Sequence, residues 1–92
     1  MTEHKSLFGK VAVITGGGGV LCSGFAKTLA EQGVKVAVLD LNEAAAKKVA
    51  DEINENGGTA IAVGCNVLDP DSMKKARDTV AEKLGTCDIL LN

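Results

Sequence analysis

Four short apolar runs alternate along the chain with three longer stretches in which apolar residues recur every three or four positions. The first run, Lys10 to Thr15, carries Val11-Ala12-Val13-Ile14 without polar alternation, as a parallel strand covered on both faces requires. Residues 20–32 follow with Leu21, Phe25, Thr28 and Leu29 on one helical stripe, and Gly33 stands where a helix terminator belongs. Val34 to Leu39 is a second strand, ending in Asp40. Asn42 is placed to cap the next helix, with Glu43 in its first turn. Ala46, Val49, Ala50 and Ile53 line one face of that helix, and Asn56-Gly57-Gly58 ends it. Thr59 to Cys65 is the third strand. Asp69 is an N-cap followed by Pro70 at the first helical position, and Met73, Ala76, Val80 and Leu84 carry the third helix to Gly85. Asp88-Ile89-Leu90-Leu91 opens a fourth strand, after which the sequence reaches Asn92.

This βαβαβαβ pattern predicts an α/β fold, with crossovers long enough for parallel strands and right-handed connections. A doubly wound parallel sheet in the order 3-2-1-4 places the loop after the first strand at the topological switch point, where such sheets bind nucleotides. The apolar run Ile89-Leu90-Leu91 calls for cover on both faces, and an exposed apolar edge invites pairing with another chain. The sequence therefore reads as the first half of a domain, with residues 1–92 as its nucleotide-binding part, truncated before the rest.

Composition narrows the partners. A net charge of −2 and a pI near 5.3 leave no basic face for a phosphate backbone, which excludes nucleic acid as the expected partner. Lys27, Lys35, Lys47, Lys48, Lys74, Lys75 and Lys83 are dispersed and read as solvated positions. No apolar run approaches the roughly 20 residues that span a bilayer, and residues 1–6 lack an apolar signal region, so the expectation is a cytoplasmic protein without membrane contact. Three cysteines without a CxxC pair favour neither a disulfide framework nor a zinc site, and no metal is expected. Cys65 and Cys87 read as small buried residues. His4 lies in a short tail, residues 1–9, and reads as solvated.

The candidate chemistry lies in Thr15-Gly16-Gly17-Gly18-Gly19, between the first strand and the first helix. Glycine lets a ligand approach the backbone closely, and the following helix points unsatisfied N–H groups and its positive dipole end at the loop. Glycines alone are weak evidence. The context strengthens them, because Asp40 stands 24 residues after Gly16 at the end of the second strand. A carboxylate there can accept both ribose hydroxyls of an adenosine through charge-assisted bonds worth roughly 1.5 to 3 kcal/mol each. It also repels a 2′-phosphate, and Leu41 rather than an arginine follows it, which favours NAD over NADP. The plain alternative is that Asp40 begins a turn.

Over Lys10 to Asn92 the sequence resembles the short-chain dehydrogenases/reductases, whose nucleotide loop reads TGxxxGxG within a Rossmann-type fold. Aligned on Thr15-Gly16 and on Leu29 to Gly33, that family's second and third glycines fall on Val20 and Cys22. A valine at a position that often needs an unusual φ is costly, so the approach to pyrophosphate is assigned to Gly17, Gly18 and Gly19. Cys22 reads as a packing residue in the first turn. Asn66-Val67 stands where the family usually has Asp-Val, the aspartate accepting from the adenine amino group; the Asn66 amide oxygen can still accept. Asp88 to Asn92 resembles the start of the strand that ends in Asn-Asn-Ala-Gly. The resemblance thus implies a cofactor-binding set of Gly16, Gly17, Gly18, Gly19, Val20, Leu21, Asp40, Leu41, Asn66, Val67 and Asn92. The variant TGGGGVL is similar to the loop of the sugar-acid reductases of this family, of the D-mannonate oxidoreductase (fructuronate reductase) type.

The resemblance implies an NAD(P)-dependent oxidoreductase acting on a small carbonyl or alcohol, in a homodimer or tetramer. The family's Tyr-x-x-x-Lys pair and serine lie in its second half. This chain has no tyrosine, and Ser6, Ser23 and Ser72 are poor substitutes, so residues 1–92 hold no catalytic residue and are expected to be inactive alone. Two other readings stay open: a module that binds NAD or another adenine nucleotide without turnover, and a transferase using S-adenosylmethionine. Against the latter, Thr15 stands where an acidic residue usually precedes the first loop glycine. A P-loop hydrolase is excluded because no Gly-Lys-Ser/Thr follows the glycines.

Overall fold

The computed structural model describes residues 8–16, 20–66 and 68–91, with the backbone alone at 20–22 and 91. In chain order the elements are β1 (Val11–Thr15), α1 (Val20–Glu31), β2 (Lys35–Asp40), α2 (Glu43–Glu55), β3 (Thr59–Gly64), α3 (Pro70–Lys83) and β4 (Ile89–Leu91). The strands form one parallel sheet in the order β3-β2-β1-β4, as the sequence pattern predicts. The strands sit within one or two residues of their predicted limits. β2 begins at Lys35 and takes in Asp40, and β3 stops at Gly64, before Cys65.

Period-two alternation divides the buried residues between the two faces. Ala12, Ile14, Val36 and Val38 meet Ala26 of α1 and Ala46, Val49, Ala50 and Ile53 of α2. Val11, Val13, Ala37 and Leu39 meet Ala76, Val80 and Leu84 from α3 and its C-cap, together with Cys65. α1 and α2 thus cover one face and α3 the other. β1 is buried along its whole length, and its one polar residue, Thr15, stands at its carboxyl end.

Local chemistry sets the helix ends. The Asn42 side chain accepts from Ala45 N, and the Asp69 side chain accepts from Asp71 N and Ser72 N, each in an extended N-cap conformation. At the end of α1, Gly33 takes φ +85°. Its N–H donates to Ala30 O and that of Val34 to Leu29 O, the paired bonds that close a helix through a left-handed residue. At the start of β4, Asp88 fastens that strand to β1: its N–H donates to Val11 O at 2.8 Å and its Oδ2 accepts from Val11 N at 2.9 Å.

The structure corrects four readings of side chains. Phe25 is 61% exposed and Thr28 is exposed, because α1 is rotated to seat Ala26 against the sheet with Leu29 and Ala30 beside it. An alanine allows closer approach of helix to strand than the phenylalanine does. Cys65 is buried as expected, its thiol donating to the Met73 sulfur, but Cys87 is exposed on the loop before β4. Lys27 is not simply solvated, since it pairs with Glu52 across α1 and α2 at 2.6 Å. Lys35 donates to Leu84 O at 3.3 Å. Among the described residues, no helix is long and apolar enough to cross a membrane. His4, in the predicted tail, lies outside the described residues.

Candidate nucleotide site

The carboxyl ends of β1, β2 and β3 lie side by side and are stitched by backbone bonds. Gly16 follows β1 with φ +67°, and its N–H donates to Leu39 O at 2.7 Å. Cys65 N, just past β3, donates to Asp40 O at 3.0 Å. The turn after β1, the acid at the end of β2 and the loop after β3 are therefore three neighbouring stations on one edge of the sheet. The N-termini of α1, α2 and α3 all open at this same edge, since each helix follows its strand directly.

Gly17, Gly18 and Gly19 lie outside the described residues, as do Val67 and Asn92. Val20 opens α1, followed by Leu21, and no non-glycine residue among those described has a positive φ. The cost expected for valine at that position is absent: the chain enters the helix at Val20 with a backbone any residue adopts. Cys22 lies in the first turn of α1.

Asp40 is half-buried at the end of β2, and its Oδ1 accepts from Asn42 N at 3.0 Å. That bond begins the turn into α2 and fixes the carboxylate at the strand end, so the turn role and the ligand role are compatible. A carboxylate offers about four lone pairs, so the bond from Asn42 N–H does not by itself preclude hydroxyl donors. Leu41, beside it, is 77% exposed. No cation stands in the residues that follow, Asn42, Glu43 and Ala44.

Asn66 is exposed and held on three sides. Its N–H donates to Ser72 Oγ at 2.9 Å, its carbonyl accepts from Asp69 N, and its Oδ1 accepts from Leu68 N at 3.0 Å. Ser72, read in the sequence as a poor catalytic substitute, is thus a positioning residue for the loop after β3. Only its place in the first turn of α3 hinted at this.

Clefts also open elsewhere. One of about 530 Å³, lined by Lys27, Ala30, Ile53 and Gly58 among others, opens where α1 and α2 end, at the opposite edge of the sheet. It holds none of the predicted site residues.

The chain is similar to known proteins over nearly all of its length. Residues 10–92 match the family model for short chain dehydrogenases. An uncharacterized oxidoreductase of Haemophilus influenzae is 51% identical over 92 residues, covering 100% of this chain and 32% of that protein. The 7alpha-hydroxysteroid dehydrogenase of Escherichia coli K12 is 38% identical over 91 residues, covering 99% of this chain and 36% of that protein. A solved structure from Haemophilus influenza with bound NAD, provisionally described as a D-mannonate oxidoreductase, superposes with a TM-score of 0.90 at 50% identity, covering 92% of this chain and 30% of that one. A 7alpha-hydroxysteroid dehydrogenase complexed with NADH and 7-oxo glycochenodeoxycholic acid also gives a TM-score of 0.90, at 41% identity, covering 94% of this chain and 34% of that one. The chain spans about a third of the length of these relatives. With the doubly wound sheet, the glycine turn at its switch point and the acid ending β2, these matches place the chain in the short-chain dehydrogenase family.

Proposed function

We propose that residues 1–92 form the nucleotide-binding part of an NAD-dependent oxidoreductase that passes hydride between nicotinamide and a carbonyl or alcohol carbon. The observation that carries this is that Gly16, Asp40 and the loop after β3 stand at adjacent strand ends, the edge at which doubly wound sheets bind dinucleotides. The glycine turn and the first turn of α1 receive the diphosphate, Asp40 accepts from the ribose hydroxyls, and Leu41 offers an apolar surface to the base. Gly17 to Gly19, Val67 and Asn92 complete the set by resemblance. The NAD bound in one similar structure and the NADH in another support this cofactor. The negative charge of Asp40, with no cation following it, disfavours the 2′-phosphate of NADP.

The nicotinamide supplies the hydride chemistry when bound. Residues 1–92 contain no tyrosine, so the proton partner for the carbonyl oxygen comes from outside them, in a longer chain of which this is the cofactor part. A sugar acid is the substrate class we favour, from the loop sequence TGGGGVL and from the provisional description of one similar structure. Cytoplasmic location and assembly into a dimer or tetramer belong to the same reading.

The test is Asp40→Ala, with NAD affinity measured by calorimetry. Loss of the ribose bonds weakens binding roughly ten- to a hundredfold. Unchanged affinity, with the fold intact by circular dichroism, refutes the assignment.

A further inference from the structure

Asn66 stands on the loop after β3, where the dinucleotide reading above, on which this inference rests, puts the purine. With the ribose on Asp40 and the diphosphate over the glycine turn of β1, the base leaves on the opposite side, over the end of β3. Two exposed leucines stand on the loops there: Leu41 after β2, 77% exposed, and Leu68 after β3, 88% exposed. Apolar side chains left in solvent on adjacent loops are suited to the faces of a flat heteroaromatic ring.

The polar group beside them has a defined polarity. Leu68 N–H points at the Asn66 side chain from 3.0 Å, and an N–H donor can be met only by the amide oxygen, so the orientation of the amide follows from its neighbour. Backbone bonds to Ser72 and Asp69 hold the residue at its other side. Nδ2, with two N–H donors, has no hydrogen-bond partner among the described residues, and the amide oxygen keeps its second lone pair, so Asn66 has both a donor and an acceptor left for a ligand. An aspartate here, accepting only, favours a base with an amino group at C6 and repels one with an oxygen there. The asparagine can donate as well. Adenine offers its ring nitrogens to such a donor, and hypoxanthine offers its C6 oxygen.

We propose that Asn66 opens the base subsite to 6-oxopurines, so that nicotinamide hypoxanthine dinucleotide binds at least about as well as NAD. The experiment is calorimetric titration of both dinucleotides into the protein and into its Asn66→Asp variant. The variant keeps an acceptor for Leu68 N–H and lies at an exposed position, so the loop is retained. For the protein itself, the two dissociation constants should agree within about threefold. In Asn66→Asp the ratio should move about tenfold or more towards NAD, the loss expected when a hydrogen bond to the C6 oxygen becomes a lone-pair repulsion. A protein that already prefers NAD by more than about threefold, or a variant whose ratio does not move, overturns the role of Asn66 while leaving NAD binding in place. Binding of neither dinucleotide overturns the dinucleotide reading, and this inference with it.

Discussion

At the scale of single residues, the site edge depends on a backbone conformation that few residues tolerate. Gly16 takes φ +67°, and a Cβ built there meets no atom within 4 Å. Substitution by alanine therefore tests conformation free of steric clash. The left-handed region costs an L-residue roughly 1 to 2 kcal/mol, so Gly16→Ala should lower unfolding free energy by about that amount in urea titration while the Gly16 N–H to Leu39 O bond persists. Unchanged stability would show that the turn relaxes away from its positive φ. Gly16 and Asp40 are legible from their places after the first and second strands, and Asn66 from the family resemblance alone. The sequence does not reveal that Asn66 Oδ1 accepts from Leu68 N–H or that Ser72 anchors the loop. Side-chain to backbone bonds of this kind depend on how a loop closes, and no periodicity encodes that.

At the scale of elements, α1 and α2 lie on one face of the sheet and are tied by the ion pair of Lys27 and Glu52, both side chains well exposed. The hydrogen bond from Lys27, and then its charge, hold the Glu52 carboxyl below its ordinary range, with a smaller contribution from Lys48. A carboxyl whose pKa falls on folding stabilises the native state above its unfolded pKa, and that stabilisation is lost as pH drops through the folded value. The stability difference between the protein and Glu52→Gln should therefore be largest near neutral pH and shrink in acid. Urea midpoints across that range measure it, and a difference independent of pH would remove the pair from the account. High salt should narrow the difference at neutral pH.

The caps and ends of these helices were legible in the sequence because Asn42, Asp69, Pro70 and Gly33 each have a local mechanism. The face of α1 was not. Its stripe of large apolar residues suggested Phe25, whereas the sheet takes Ala26, and only the closeness of packing decides between them. Asn54 is a second case: its side chain donates to Ala60 O and accepts from Ala60 N, covering part of the open edge of β3. Nothing in the α2 pattern separates that asparagine from a solvated one.

At the scale of the whole molecule, strand order and the two-sided core were legible, since unbroken apolar strands joined by amphipathic helices have few alternatives to a doubly wound parallel sheet. That architecture separates the buried residues into two clusters that share no residue, one under α1 and α2 and one under α3. Val38 belongs to the first and Val80 to the second, and both are essentially inaccessible to solvent. Truncating either to alanine removes two methyl groups and leaves a small cavity, for a cost of about 2 kcal/mol. Because the sheet stands between them, Val38→Ala and Val80→Ala should combine additively to within about 0.5 kcal/mol. Val38→Ala with Val49→Ala, in one cluster, should depart from additivity, since the second truncation relaxes into space opened by the first. Small domains have only about 5 to 15 kcal/mol to lose, so the cross-sheet double variant should still fold but with a markedly lower urea midpoint. Coupling between Val38 and Val80 as strong as that between Val38 and Val49 would mean that the sheet transmits packing strain from one face to the other. The strand ends carrying Gly16, Asp40 and Asn66 would then respond to core changes on either side, and NAD affinity in the two single variants would reveal it.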